Sequence, residues 1–312
     1  MLRAHIGAAL LVSAAVLAGG CGGDGAPAPR PPGGVAPPLS AQAPDQGLTA
    51  RVTAAALRRP VARYRAYVRR RLGAMQGDLA TLAAAVARGD LAAARTAWLR
   101  SDARYESIGA AYRAFGNLDR AINGGPGGLP GGVRSPHFTG LHRVELALWG
   151  RCSTRDAGRP VRVLRSDVAR LRAGLVRARI DPLGYTLRVH EILEDALHLQ
   201  LSGRASPWSG AALGALRADV RATRVVLGTL RPVVARRAPI VLAQSERALD
   251  RVERALGRAE RRGELPRWDA LGPRAREEVA GVVTAAAERL ATVPELIDPR
   301  TPRRRQDAFG RA

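Results

Sequence analysis

From Leu48 to about residue 292, apolar residues recur three and four positions apart, and Gly, Pro and Asp cut the pattern into segments. That period belongs to helices with one buried stripe; strands would alternate their apolar positions. Leu57, Val61, Tyr64, Val68, Leu72 and Met75 open the first run, which continues through Leu79, Leu82 and Val86 to a stop at Gly89. Asp90 is a plausible N-cap for a second helix carrying Ala94, Trp98, Tyr105, Ile108 and Tyr112 before Gly116. Further helices are predicted near 138–149, 161–179, 183–202, 209–230, 236–262 and 273–292, with a break at 151–160. Pro182, Pro207, Pro232, Pro266, Pro273 and Pro294 fall at or near the joints, where a missing N–H does least damage. The predicted fold class is therefore all-α, an antiparallel helical bundle built as two packed four-helix bundles.

Composition supports this reading. Hydrophobic residues make up 46% of the 312-residue chain but aromatics only 4%, so the cores are built from Ala, Leu and Val. All 50 basic residues are arginine, and the formal charge is +23. The missing lysine and the abundant Ala, Gly and Pro look like a GC-rich coding bias. The arginines run through almost every helical segment with no interleaved aromatics, so no nucleic-acid partner is expected. Adhesion to anionic envelope polymers follows from charge alone, which keeps a structural cell-envelope binding protein as one alternative.

The N-terminus carries more information. Arg3 gives a positive start, Ile6 to Ala18 form an apolar stretch too short to span a bilayer, and Leu17-Ala18-Gly19-Gly20-Cys21 sets small residues before a cysteine. This resembles a bacterial lipoprotein signal over residues 1–20, with a slightly degenerate lipobox and Cys21 as the lipidation site. Residues 21–47, rich in Pro and Gly, read as a disordered spacer, and 300–312 as a disordered basic tail. The expected location is extracytoplasmic, tethered to the membrane by the lipid. Cys152 then has no intrachain disulfide partner and reads as a buried structural thiol.

The segment Gly140-Leu141-His142-Arg143-Val144-Glu145 sets an imidazole and a carboxylate three apart on an apolar helix. At that spacing the two Cβ atoms stand about 5–6 Å apart on one face and can share a metal ion. They can equally hydrogen-bond to each other on a half-buried helix. The preceding loop, Gly124 to Gly132, lacks the GKS/T ending of a phosphate-binding loop and reads as a flexible crossover.

A series of motifs gives the HxxE pair its context. Tyr64-Arg65-Ala66-Tyr67-Val68, Arg88 to Arg95, Tyr105-Glu106-Ser107-Ile108, Phe115-Gly116-Asn117-Leu118-Asp119, Gly140 to Trp149, His190 to Ala196, Gln200 to Gly203 and Pro207-Trp208-Ser209-Gly210 follow one another in a fixed order. This order resembles imelysin-like (peptidase family M75-like) domains, and within them iron-uptake lipoproteins of the EfeO/EfeM type. The domain is placed at 48–299. The resemblance implies a paired helical bundle, an extracytoplasmic role in passing iron to a permease, and a haem peroxidase in the same system. Some relatives carry a cupredoxin-like domain where this chain has only the spacer.

The resemblance also implies a metal site at His142 and Glu145, for Fe2+, Fe3+ or another divalent ion. An ion needs more donors than two, and Glu106 and Asp119 are the first further candidates. Their alternative readings are an ion pair with an arginine and a turn or cap residue. Glu191, Glu194, Asp195 and His198 form a possible second metal cluster on one helix face, or a salt-bridged stripe. His190 reads as a surface residue, and His137 as an auxiliary ligand or a loop residue.

The other alternative is a zinc-dependent metallopeptidase. A zincin helix needs HExxH, and the nearest approach, His190-Glu191-Ile192-Leu193-Glu194, lacks the second histidine. No catalytic residue is assigned, and an enzyme is not expected.

Overall fold

A computed structural model describes residues 52–298. Cys21, the expected signal and spacer, and the basic tail all lie outside the described residues. Nine α-helices carry this region: α1 (Ala54–Ala87), α2 (Leu91–Glu106), α3 (Asn117–Asn123), α4 (Gly140–Glu145), α5 (Thr154–Gly174), α6 (Pro182–Leu199), α7 (Ala212–Arg237), α8 (Pro239–Ala259) and α9 (Pro273–Ile297). The fold is all-α, as the periodicity predicts.

Local chemistry sets several of the starts. Side-chain oxygens of Thr53, Asp90, Ser153 and Asp181 each accept the backbone N–H three residues on, at 3.3, 2.9, 3.1 and 2.6 Å. Each cap satisfies a donor that the first turn leaves unpaired. The Ser153 cap corrects the expected break at 151–160, because α5 begins at Thr154 and runs through Pro160. Pro232 and Pro294 likewise sit inside α7 and α9 instead of ending them. Proline in a helix interior costs about 3 kcal/mol. Burial of Leu230, Val233 and Val234 in α7, and of Leu290, Val293 and Ile297 in α9, offsets that cost.

Helices α6, α7, α8 and α9 pack as one complete four-helix group. The first group has α1 lying along α2 and α5, with the short α3 and α4 against α5 in the fourth place. Contacts of α7 with α1 and α2 join the groups, and the buried apolar residues form one continuous core. Tyr64, Trp98, Tyr105 and Tyr185 are its largest fully buried side chains. None of the described helices is long and apolar enough to cross a membrane.

Candidate metal centre

The HxxE residues sit on α4, a helix of six residues fixed at both ends. Gly140 has φ +77°, and a Cβ there would fall 2.2 Å from the Ile122 carbonyl oxygen and 2.4 Å from that of Ala121. Only glycine lets the start of α4 lie against the end of α3 so closely. Thr139 Oγ1 donates to the Ala121 carbonyl at 2.9 Å, and Trp98 Nε1 donates to the Leu141 carbonyl at 2.9 Å. At its other end α4 widens into a π-helical turn, Leu146–Gly150, a form that recurs beside functional sites. Arg95 clamps that turn, its Nε and Nη2 donating to the Leu148 carbonyl at 3.0 and 2.8 Å.

His142 Nδ1 lies 3.0 Å from Glu145 Oε2. The other oxygen, Oε1, accepts from the Trp208 amide at 3.1 Å, the Ser209 amide at 2.8 Å and the Ser209 hydroxyl at 2.8 Å. Three donors thus converge on Oε1, while Oε2 faces only the His142 ring. Glu145 is fully buried. His142 lines a cavity of about 630 Å³, whereas Glu145 stands behind it, off the cavity wall. The pair expected side by side from the sequence thus has only His142 on the cavity wall. A carboxylate held against one ring nitrogen is an arrangement that also occurs behind metal-binding imidazoles.

Carboxylates from four elements share the cavity wall with His142: Glu106 from the end of α2, Asp119 from the first turn of α3, Asp219 from α7, and Asp195 from α6, the last paired with Arg188. Glu106 accepts from Asn123 Nδ2 at 3.0 Å, and the Tyr112 hydroxyl stands 3.2 Å from its other oxygen. Asp119 accepts from the Tyr105 hydroxyl at 2.7 Å. Asp219 has no hydrogen bond or ion pair among the described residues. Asp102, buried one turn before Glu106, adds a further carboxyl behind the wall.

Burial is the first cause that raises the pKa of Asp102, Glu106, Asp119 and Asp219. Asp102 and Asp219 are pushed well above the ordinary carboxylate range by burial, and then by repulsion from Glu106 and other nearby carboxylates. Glu106 is raised by burial, against the lowering effects of the Asn123 hydrogen bond and the nearby His142. Asp119 is raised by burial, against its Tyr105 hydrogen bond and the positive charges of Arg188 and Arg120. Crowded, desolvated carboxyls of this kind gain from a cation among them. As placed, though, no three of the described His, Cys, Asp and Glu side chains close on a single point that could hold an ion.

Sequence reading missed Asp102 and Asp219. A signal for each was present. Asp102 precedes Glu106 by four on the buried face of α2, and Asp219 interrupts an apolar stripe with Leu216, Val220 and Thr223.

The second acidic cluster does not gather as a ligand set, because an arginine occupies its middle. Arg188 Nη1 donates to Glu191 at 3.0 Å, and its Nη2 donates to Asp195 at 2.9 Å and to the Gly109 carbonyl at 3.3 Å. Glu194 is half exposed, and His198 Nδ1 bonds the Glu194 backbone carbonyl at 2.8 Å. His190 is mostly buried, not a surface residue, and burial lowers its pKa. His137 is an exposed loop residue away from the cavity. Cys152 is exposed, not buried, at φ +50°, with its sulfur 3.4 Å from Arg95 Nη2. The glycine-rich crossover contributes to the cavity through Gly124, Gly125 and Pro126.

Two packed helical groups with a carboxylate-held histidine beside an acid-lined cavity define a class of all-α protein that the comparisons with known proteins make more specific. Residues 60–178 match the family described as Imelysin, Peptidase_M75, a span that includes Asp102, Glu106, Asp119, His142 and Glu145. The chain is 28% identical over 150 residues to the iron uptake system component EfeM of Pseudomonas syringae pv. syringae, covering 48% of this chain and 53% of that one. It is 26% identical over 177 residues to EfeO of Yersinia pseudotuberculosis, covering 57% and 47%. With EfeO of Escherichia coli K12 it shares 25% over 228 residues, covering 73% and 61%. The matches to the first two of these span about half of the relatives' length.

Proposed function

We propose that this protein is an extracytoplasmic metal-binding component of an iron uptake system. His142 Nε2 is the nitrogen donor, with Glu106, Asp219 and Asp119 as the oxygen donors that close on the ion when it enters. Nitrogen and carboxylate donors suit ferrous and ferric iron and other divalent ions. The observation that supports this reading most directly is the anchored Glu145 carboxylate against Nδ1 of His142, a histidine that shares the cavity wall with the raised-pKa carboxyls Glu106, Asp119 and Asp219.

The cellular part of the reading rests on the printed names of the relatives and on the N-terminal sequence. Residues 1–20 act as a lipoprotein signal, Cys21 carries the lipid, and 21–47 give the helical domain reach above the membrane. The ion is handed to a permease, with a haem peroxidase in the same system. A peptidase role is disfavoured because Glu145, the only acid in the HxxE motif, is buried off the cavity wall with three donors on Oε1 and the His142 ring against Oε2.

Anaerobic calorimetric titration of the purified protein with Fe(II) tests the site. Saturable binding lost in His142→Ala is expected, and unchanged binding in that variant removes the assignment. Incorporation of labelled palmitate in cells, absent in Cys21→Ser, tests the anchor.

A further inference from the structure

Three features of the cavity are in excess of what a lone ion needs. The first is room. An octahedral ion with six waters, at about 30 Å³ each, takes about 180 Å³, whereas the cavity holds about 630 Å³, within the range of small-molecule sites. The second is the space between the protein donors, since as placed no three acid, histidine or cysteine side chains among the described residues converge on one point.

The third is an uncommitted positive charge. Three arginines line the cavity: Arg120, Arg188 and Arg204. The charge of Arg188 is matched by Glu191 and Asp195. Arg204 spends its guanidinium on the His198 carbonyl and the Ser202 hydroxyl. The Arg120 side chain makes no hydrogen bond or ion pair among the described residues, although it adjoins Asp119 and lowers that carboxyl's pKa. A free guanidinium on the wall of a site for a bare cation only repels the cargo. Beside an anion that itself holds the cation, it becomes a fork for two oxygens.

We propose that the cavity takes its ion together with a small oxyanion, whose carboxylate-type oxygens complete the metal's shell on one side and pair with Arg120 on the other. The inference rests on the metal-binding reading of the cavity and adds the chemical class of the co-ligand. Carbonate and a polycarboxylate such as citrate share that chemistry.

Equilibrium dialysis of the full protein separates these cases, using Fe(II) under anaerobic conditions with carbon-14 bicarbonate in one arm and carbon-14 citrate in the other. Expected is retention of one label near one per bound iron, dependent on iron, and weakened about tenfold or more in Arg120→Gln through loss of the bidentate pair. The arm that retains label identifies the source. Iron bound with neither label retained overturns the proposal and leaves the metal site standing, as does label held equally well by Arg120→Gln. No iron bound in any arm overturns the metal reading itself, and the proposal with it.

Discussion

Ser209 reaches Oε1 of Glu145 through both its amide and its hydroxyl, each at 2.8 Å, across 64 positions of sequence. The contact joins the first helical group to the turn that leads into α7. The orientation of the His142 ring therefore depends on a residue well outside its own motif.

Replacing Ser209 with alanine removes one of the three donors on Oε1 of a buried carboxylate. The loss should cost about 1–3 kcal/mol of folding stability and weaken metal binding roughly tenfold by loosening the imidazole. Denaturant unfolding and Fe(II) titration measure the two effects, and an affinity equal to wild type would remove the link between the Trp208–Ser209 turn and the ring.

His142→Ala and Glu145→Gln should differ in kind. The first deletes the donor nitrogen and should abolish the high-affinity phase. The second keeps the nitrogen but puts an amide N–H against groups that themselves donate, so affinity should fall roughly 10–100-fold without vanishing. Equal, complete loss in both would return Glu145 to the role of a direct ligand.

Asp102, Glu106 and Asp219 all have raised pKa values in the folded state. A raised carboxyl binds its proton more tightly when folded, so its contribution to stability is present at low pH and is lost as pH climbs from about 4 through the raised value. The metal-free protein should accordingly lose thermal stability as pH rises above the ordinary carboxylate range, with a loss of about 1.4 kcal/mol per pH unit for each proton difference. Asp219→Asn should flatten that slope while weakening iron binding. A slope identical to wild type would mean that Asp219 does not titrate in this window.

Much of the fold is legible in the sequence because its signals are local. The Asp90 cap, the stop at Gly89 and the apolar stripe of α1 are each written within a few residues. The misreadings come where tertiary burial outweighs a local breaker, as at Pro160, Pro232 and Pro294. At the site, the spacing of His142 and Glu145 puts both on one helix face, but nothing nearby says which of them turns to the cavity. That choice is made by Trp208 and Ser209, whose amides exist in every sequence and acquire meaning only by position. Asp219 was readable as a charge on an apolar stripe, although its neighbours across the cavity come from other helices.

Gly140→Ala should be among the most damaging single-methyl changes in the chain. The new Cβ meets two backbone oxygens inside van der Waals contact, at a φ that L residues avoid. A loss of roughly 2–4 kcal/mol is expected from strain and the forced separation of α3 from α4, read as a lowered denaturant midpoint. A loss below about 0.5 kcal/mol, the level of an ordinary surface change, would show that the close approach is relaxed in solution.

The rim of the cavity contains two adjacent glycines with opposite constraints. At Gly124 a Cβ would lie 2.3 Å from the Arg120 carbonyl oxygen, so that position is tied to the turn ending α3. At Gly125 a Cβ meets nothing within 4 Å, and the residue is exposed on the cavity's edge. Side chains can be installed there without disturbing the scaffold. The width of the cavity mouth can consequently be altered at Gly125 independently of the contacts that hold His142 and Glu145.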